Sequence, residues 1–159
     1  MDRSYEARRF CDSDAVEVSD LIARTLRTVS IRDYSSEYVE NIVKMFEPQK
    51  IIDRASWTHF YVICDQGKIV GCCAIGPYYD KKDESSFFNV FVLPEYQGKG
   101  VGGKIIQTLE SDEFFLRTKR VEVPSSITAV EFYKKFGYKY KEGGDVLDQD
   151  LLFHLEKFR

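Results

Sequence analysis

The apolar positions in the first third of the chain recur mostly at helical spacing. Residues 5–10 alternate enough to predict a short first strand, and the acidic and hydroxyl residues at 12–14 offer capping oxygens to a following helix. The apolar face of that helix consists of Val18, Leu21, Ile22 and Leu26. A second helix is predicted after Ser35, and Pro48 marks its end or the start of a further short turn through Ile51 and Ile52. Its apolar residues are Tyr38, Ile42, Val43 and Phe46.

From residue 59 the pattern changes to that of a three-stranded meander. Residues 59–64 and 69–75 are rich in β-branched and aromatic residues and flank a polar turn at 65–68, which predicts a hairpin. A polar tip at 80–84 precedes the fourth strand at 87–93. This strand is nearly apolar throughout and is therefore predicted to be buried on both faces.

The last third of the chain alternates helix and strand. A helix is predicted at 100–110, a short strand at 120–123, a helix capped by Ser126 that ends near Gly137, and a closing strand at 151–157. Strand, helix and strand in succession imply a right-handed parallel crossover. The predicted fold class is α/β with a mixed sheet.

Composition narrows the class of protein. A chain of 159 residues with 43% hydrophobic and 31% charged residues predicts one globular domain, 1–159. The formal charge of -3 argues against a nucleic-acid partner, because phosphate backbones are bound by basic surfaces. The sequence contains neither a signal peptide pattern nor an apolar membrane segment, so a cytoplasmic protein without a membrane partner is expected.

Cysteine and histidine offer little for metal or nucleophile chemistry. The cysteines Cys11, Cys64, Cys72 and Cys73 lack Cys-x-x-Cys spacing and are predicted to be buried thiols. Two histidines, His59 and His154, are too few for a clear metal site or a Ser-His-Asp arrangement. No metal is therefore expected.

The segment 97–104 joins the apolar fourth strand to a helix through four glycines. Glycine lets main-chain N–H groups approach an anion, and the helix N-terminus adds partial positive charge. This pattern predicts a phosphate site; the alternative is a flexible strand-to-helix turn.

Two nucleotide-binding motifs match the glycine spacing of this segment, but the residues around it do not fit either motif. Gly98, Gly100 and Gly103 spell the dinucleotide pattern, but residues 94–97 separate the first glycine from the strand and a meander precedes it. Gly98, Gly103 and Lys104 fit the P-loop, but Ile105 stands where a hydroxyl must bind Mg²⁺.

A third pattern fits both residues and context. Residues 97–102 match the motif [Gln/Arg]-x-x-Gly-x-[Gly/Ala], in which x is any residue. They directly follow the segment Val92-x-Pro94-Glu95-Tyr96. A second segment downstream contains Ser126, Ala129, Phe132, Tyr133, Lys135, Gly137 and Tyr138. Together these resemble the GCN5-related N-acetyltransferase (GNAT) superfamily, in particular its small bacterial-type single-domain members. The resemblance implies a mixed, mostly antiparallel sheet flanked by helices, with splayed fourth and fifth strands.

The resemblance also implies roles for individual residues. Those expected to hold the pyrophosphate of acetyl-CoA are Gln97, Gly98, Lys99, Gly100, Val101 and Gly102. The pantetheine arm would lie along Val90, Phe91 and Val92, with the Val92 N–H polarising the thioester carbonyl. Ser126 is expected both to cap its helix and to contact the pantetheine or thiol.

Proton transfer is the least defined part of this expectation. Tyr133 matches the family's general acid, and its alternative role is core packing. Glu84, and less strongly Asp83, are candidates for the general base near the start of the fourth strand; the alternative is that both are solvated loop charges.

The expected activity is direct transfer of an acetyl group from acetyl-CoA to the amine of a small molecule or peptide, by a monomer or homodimer. One alternative is an acyl-CoA-binding sensor without turnover. Another is an acyltransferase that uses a longer acyl-CoA.

Overall fold

A computed structural model describes residues 4–159, in which the strands form one seven-stranded sheet of order β1-β2-β3-β4-β5-β7-β6. The strands are β1 (Glu6–Arg9), β2 (His59–Asp65), β3 (Lys68–Tyr78), β4 (Lys81–Val92), β5 (Arg120–Ser125), β6 (Lys139–Tyr140) and β7 (Phe153–Phe158). The helices are α1 (Ala15–Thr28), α2 (Ser36–Lys44), α3 (Pro48–Ala55), α4 (Val101–Glu110), α5 (Glu113–Leu116) and α6 (Val130–Lys134). Among the described strands only β4 and β5 pair in parallel, which confirms the predicted mixed, mostly antiparallel sheet.

Several elements differ from their sequence predictions. The short turn after Pro48 is a full helix, α3, and neither α5 nor β6 was predicted. The polar tip predicted at 80–84 is mostly strand, because β4 begins at Lys81. The first three residues of β4 are exposed and polar. For this reason the sequence pattern there indicates a loop, although the segment is a strand that pairs with β3 on one side.

The prediction that the fourth strand is buried on both faces is wrong. Only residues 85–87 of β4 are buried, whereas residues 88–92 are half-buried. Pairing with β5 stops after Ser86 and Glu122, so the two strands diverge beyond that point and confirm the predicted splay. The second half of β4 borders open space instead of a neighbouring strand.

A β-bulge at Asn89 sets the direction of the main chain in this open half. Cys72 pairs with Phe91 while Ala74 pairs with Phe88, so β4 has one extra residue there, and Asn89 has a left-handed φ of 53°. Beyond the bulge, the Leu93 N–H donates to the Val70 carbonyl of β3 at 2.9 Å. Because main-chain groups alternate along a strand, the Val92 N–H points away from β3 and into the gap.

The closed end of the gap is held by charged residues. Arg120 of β5 donates to Glu84 of β4 at 2.8 Å, to Glu156 of β7 at 2.7 Å, and to Glu122. Glu122 is fully buried. Burial alone would raise the pKa of Glu122, but hydrogen bonds from Arg120, His154 and Lys141 outweigh burial and lower it. The carboxylate is therefore charged, and the cluster joins β4, β5 and β7.

Three of the four cysteines agree with prediction. Cys64, Cys72 and Cys73 are buried free thiols, whereas Cys11 is exposed because it lies in the connection between β1 and α1. Within residues 4–159, no helix has both the length and the apolar character that a membrane crossing requires.

Helix α4 packs closely on α6 at a glycine, and this contact can be tested. A Cβ atom at Gly102 would lie 2.4 Å from Phe132 Cε1, whereas one at Gly103 would meet nothing within 4 Å. We expect Gly102→Ala to lower the free energy of unfolding by about 1 to 3 kcal/mol through overpacking. The matched Gly103→Ala should raise it by up to about 1 kcal/mol through helix propensity. Urea unfolding measures both, and equal effects would contradict this packing.

Candidate active site

A cavity of about 410 Å³ opens where β4 and β5 diverge. We call it the glycine cavity. It is bordered by β4, by residues 94–100, which we call the glycine loop, together with the start of α4, and by the segment from Ser126 through α6. The gap in the sheet thus has strand main chain on one wall and a helix N-terminus on another.

Two glycines of the glycine loop border this cavity and, within residues 4–159, have unpaired N–H groups. Gly98 and Gly100 have left-handed φ values of 73° and 88°, and Gly100 is the N-cap of α4. Within the described chain, the N–H groups of these two glycines have no hydrogen-bond partner. The first-turn N–H groups of α4 are also free of helical partners. These main-chain N–H groups are therefore available to an anion at the positive end of the helix dipole.

Two contacts fix the loop in place. The Tyr5 hydroxyl donates to the Lys99 carbonyl at 2.8 Å, and the Gln97 side chain donates to the Val92 carbonyl at 2.8 Å. The Gln97 and Lys99 N–H groups donate to carbonyls within the loop. The amide donors left for an anion are therefore those of the glycines and the first turn of α4.

The structure brings most of the predicted binding residues together. All of them line the glycine cavity except Lys99 and Val101. Val101 is fully buried in the core, and the Lys99 side chain is exposed, with its ammonium 5.8 Å from the centre of the Tyr96 ring.

A second cavity of about 430 Å³ lies beside the first; we call it the aromatic cavity. It is enclosed by α1, α2, α3, the bulge of β4 and the loop before β7. Tyr34 bridges distant parts of its wall, because its hydroxyl accepts from the Ile127 N–H at 2.9 Å and donates to the Leu151 carbonyl at 2.7 Å. Tyr38 stacks on Tyr34 at 4.6 Å and donates to the Asp150 carbonyl.

The two cavities share a wall that contains Tyr133. The residues that border both are Ser30, Val90, Phe91, Ser126, Ala129 and Tyr133. Tyr133 is only 4% exposed. Burial raises the pKa of Tyr133, so its hydroxyl is protonated at neutral pH. Ser126 caps the turn before α6, accepting from the Ala129 N–H at 3.2 Å.

Glu84 and Asp83 lie apart from both cavities. Glu84 pairs with Arg120 at 2.8 Å and with Lys81 at 3.6 Å, and Asp83 pairs with Lys119 at 2.9 Å. Glu84 precedes Asn89 by five residues of extended strand, a separation of about 17 Å. The sequence placed these acids near the start of the fourth strand, but β4 is longer than predicted and its start is the closed end of the gap.

Sequence reasoning missed three residues at these cavities. Asn89 forms the bulge, and its signal is a single amide side chain within an apolar strand. Thr25 is buried and donates to the Val92 carbonyl at 3.1 Å; its signal is a hydroxyl within the apolar face of α1. Arg54 borders the aromatic cavity from α3, where an arginine on an amphipathic helix carries no local signal.

Comparison with known proteins identifies the family. Residues 56–140 match the profile of the acetyltransferase (GNAT) domain. The chain belongs to the GNAT acetyltransferase family. This GNAT chain is 24% identical, over 160 aligned residues, to an uncharacterized N-acetyltransferase of Methanocaldococcus jannaschii, covering 83% of this chain and 68% of that protein.

Solved structures share the GNAT fold over almost the whole chain. The PaiA N-acetyltransferase of Thermoplasma acidophilum in complex with coenzyme A has a TM-score of 0.82 and 16% identity, covering 98% of this chain and 99% of that one. A GCN5-related N-acetyltransferase of Rhodopseudomonas palustris has a TM-score of 0.80 and 22% identity, covering 100% and 98%. These similarities confirm the predicted fold.

The loop can be tested by a pair of equally strained substitutions. Gly100 (φ 88°) borders the glycine cavity, whereas Gly67 (φ 86°) lies in the turn between β2 and β3. A valine at either position is disfavoured by about 1 to 2 kcal/mol or more. We expect both Gly→Val variants to lose stability, but only Gly100→Val to lose CoA binding by more than tenfold in calorimetric titration. Equal CoA affinities in the two variants would contradict the assignment of the loop.

Proposed function

We propose that this chain transfers an acetyl group from acetyl-CoA to the amine of an acceptor within a ternary complex. The observation that carries this proposal is the wall shared by the two cavities. The glycine cavity has donors for a polyanion, the aromatic cavity is suited to an amphipathic molecule, and Tyr133 borders both. Two substrates bound in these cavities would meet without a covalent enzyme intermediate.

The residues present fit CoA. A Cβ atom at Gly98 or Gly103 would meet nothing within 4 Å, so at both positions the chain leaves space beside main-chain donors. CoA is multiply anionic and needs such donors in a protein whose net charge is -3. The coenzyme A in the similar Thermoplasma structure supports the same ligand.

The chain's own residues would then orient the reacting groups and supply a proton. When bound, acetyl-CoA supplies an acetyl thioester. The Val92 N–H, pointing into the gap beyond the bulge, would donate to the thioester carbonyl and polarise it. Tyr133 would give its hydroxyl proton to the departing sulfur, while the acceptor nitrogen forms the new amide bond and releases a proton to solvent. Solvent would then return a proton to the Tyr133 oxygen.

The described geometry provides no support for Glu84 as a base. Its carboxylate is paired with Arg120, outside both cavities. We therefore propose that the acceptor amine enters in its neutral form. A sensor that binds acyl-CoA without turnover remains the second candidate, since the glycine cavity alone would serve it; release of CoA thiol in the presence of an amine separates the two.

Replacing Tyr133 tests the proton transfer. We expect Tyr133→Phe to lower kcat by roughly 10² to 10⁴-fold while acetyl-CoA affinity changes little, because only a hydroxyl is removed. The matched control is Tyr138→Phe, a neighbouring ring 6.1 Å away whose hydroxyl donates to Glu110 at 2.8 Å outside both cavities. Tyr138→Phe should lower the free energy of unfolding and leave kcat near the wild-type value. If the two variants have the same kcat, Tyr133 is a core residue.

The pH profile gives an independent measurement. A general acid contributes while it is protonated, so its contribution is present below its pKa and lost above it. Burial raises the pKa of Tyr133 above the usual value of about 10. We therefore expect kcat to show no alkaline decline up to about pH 10, while kcat/KM rises as the acceptor amine loses its proton. A decline in kcat that begins below about pH 9, with the protein still folded by circular dichroism, would exclude this role.

A further inference from the structure

The aromatic cavity has a strongly apolar wall. Its apolar members include Leu26, Val39, Ile42, Phe46, Phe87 and Phe91. Only Arg54 and Asp150 are charged among the residues that border it. A molecule bound there would place a large apolar group against α1, α2 and β4, with few charged positions to recognise.

Arg54 is held in this wall by aromatic rings. Its guanidinium carbon lies 4.4 Å from the centre of the Phe88 ring and 5.3 Å from that of Trp57. Its Nη1 is 3.4 Å from Asn89 Oδ1, a long hydrogen bond to the residue that forms the bulge. These contacts fix the guanidinium beside the part of β4 that leads to Val90 and the shared wall.

Arg54 lacks the partner that other half-buried arginines of this chain have. Arg8 donates to both carboxylate oxygens of Asp14 at 2.8 and 3.0 Å, and Arg120 binds three glutamates. Within the described residues, no carboxylate lies within 4.0 Å of Arg54. Burial lowers the pKa of Arg54 with no nearby acid to oppose it. A carboxylate ligand stabilises a half-buried guanidinium strongly, because the two groups can form a pair of parallel hydrogen bonds.

We propose that Arg54 binds the carboxylate of the acceptor, and that the acceptor is an α-amino acid with a large apolar side chain. This inference rests on the proposed acetyl transfer. The carboxylate pairs with Arg54, the side chain packs in the aromatic cavity, and the α-amine reaches the shared wall near Tyr133. The α-amine is separated from its carboxylate by a single carbon, so an acceptor whose carboxylate pairs with Arg54 beside Asn89 keeps its amine close to that part of β4 and to the adjoining Val90 of the shared wall.

Matched acceptors test the carboxylate. Release of CoA thiol is measured with L-phenylalanine and L-phenylalaninamide, with L-leucine and L-leucinamide, and with glycine and putrescine. We expect each apolar amino acid to exceed its amide in kcat/KM by at least about tenfold, the effect of a charge-assisted pair. The amide has the less basic amine and offers more of its neutral form at a given pH, so a preference for the acid must come from the carboxylate. Glycine and putrescine should react poorly.

Variants of Arg54 assign the preference to this residue. Arg54→Met should lower kcat/KM for phenylalanine by about 10- to 100-fold and leave phenylalaninamide unchanged, and Arg54→Lys should lose less. The control is Arg117→Met, which removes an exposed arginine whose guanidinium carbon also lies 4.4 Å from a phenylalanine ring, that of Phe114, outside the aromatic cavity. Arg117→Met should preserve the ratio of kcat/KM for phenylalanine to kcat/KM for phenylalaninamide. Melting temperatures confirm that each variant is folded.

A binding measurement separates failure of this inference from failure of the proposed activity. L-phenylalanine and its amide are titrated calorimetrically into the protein saturated with CoA, which needs no turnover. Binding of the acid alone, lost in Arg54→Met, supports the inference even if no acceptor reacts. Turnover of acid and amide at equal rates, unchanged in Arg54→Met, would overturn the inference and leave acetyl transfer intact. Absence of acid binding in the wild-type protein with CoA would overturn it as well.

Discussion

The separation of β4 from β5 is the constraint on which the rest of the site depends. The two strands pair over only three residues, and at that end Arg120 binds glutamates of β4, β5 and β7. Beyond it the strands diverge, and the bulge at Asn89 sets the direction of the main chain. A sheet normally satisfies its own N–H groups, so this gap leaves strand donors available to a ligand.

The glycine cavity combines this gap with close packing of helices. The left-handed angles at Gly98 and Gly100 are local requirements of the loop, but its position is fixed by Tyr5 of the N-terminal segment. At Gly102 the absence of a side chain lets α4 approach Phe132 of α6. The glycines of one segment thus leave main-chain donors unpaired within the described residues and also allow close helix packing.

The aromatic cavity depends on contacts between parts of the chain that are far apart in sequence. Tyr34, in the connection between α1 and α2, joins the turn before α6 to the loop before β7 through a single hydroxyl. Asp148 stabilises that loop by accepting from the N–H groups of Asp150 and Leu152, and His154 lies 2.6 Å from its carboxylate. The aromatic cavity is therefore assembled from helices and loops that carry no short motif, while the glycine cavity is built around one.

The sequence by itself determined the elements whose requirements are local. Glycine spacing, capping residues and apolar periodicity encode backbone angles and buried faces over a few residues, so the loop, α1, α4 and the mixed sheet were predictable. The tertiary structure alone decided which side chains meet. Glu84, a candidate for the general base with a solvated loop charge as its alternative, pairs with Arg120, and Arg54 gave no signal although it borders the aromatic cavity. Both outcomes depend on strand length, the bulge and the divergence of β4 from β5, which are settled by packing between distant segments.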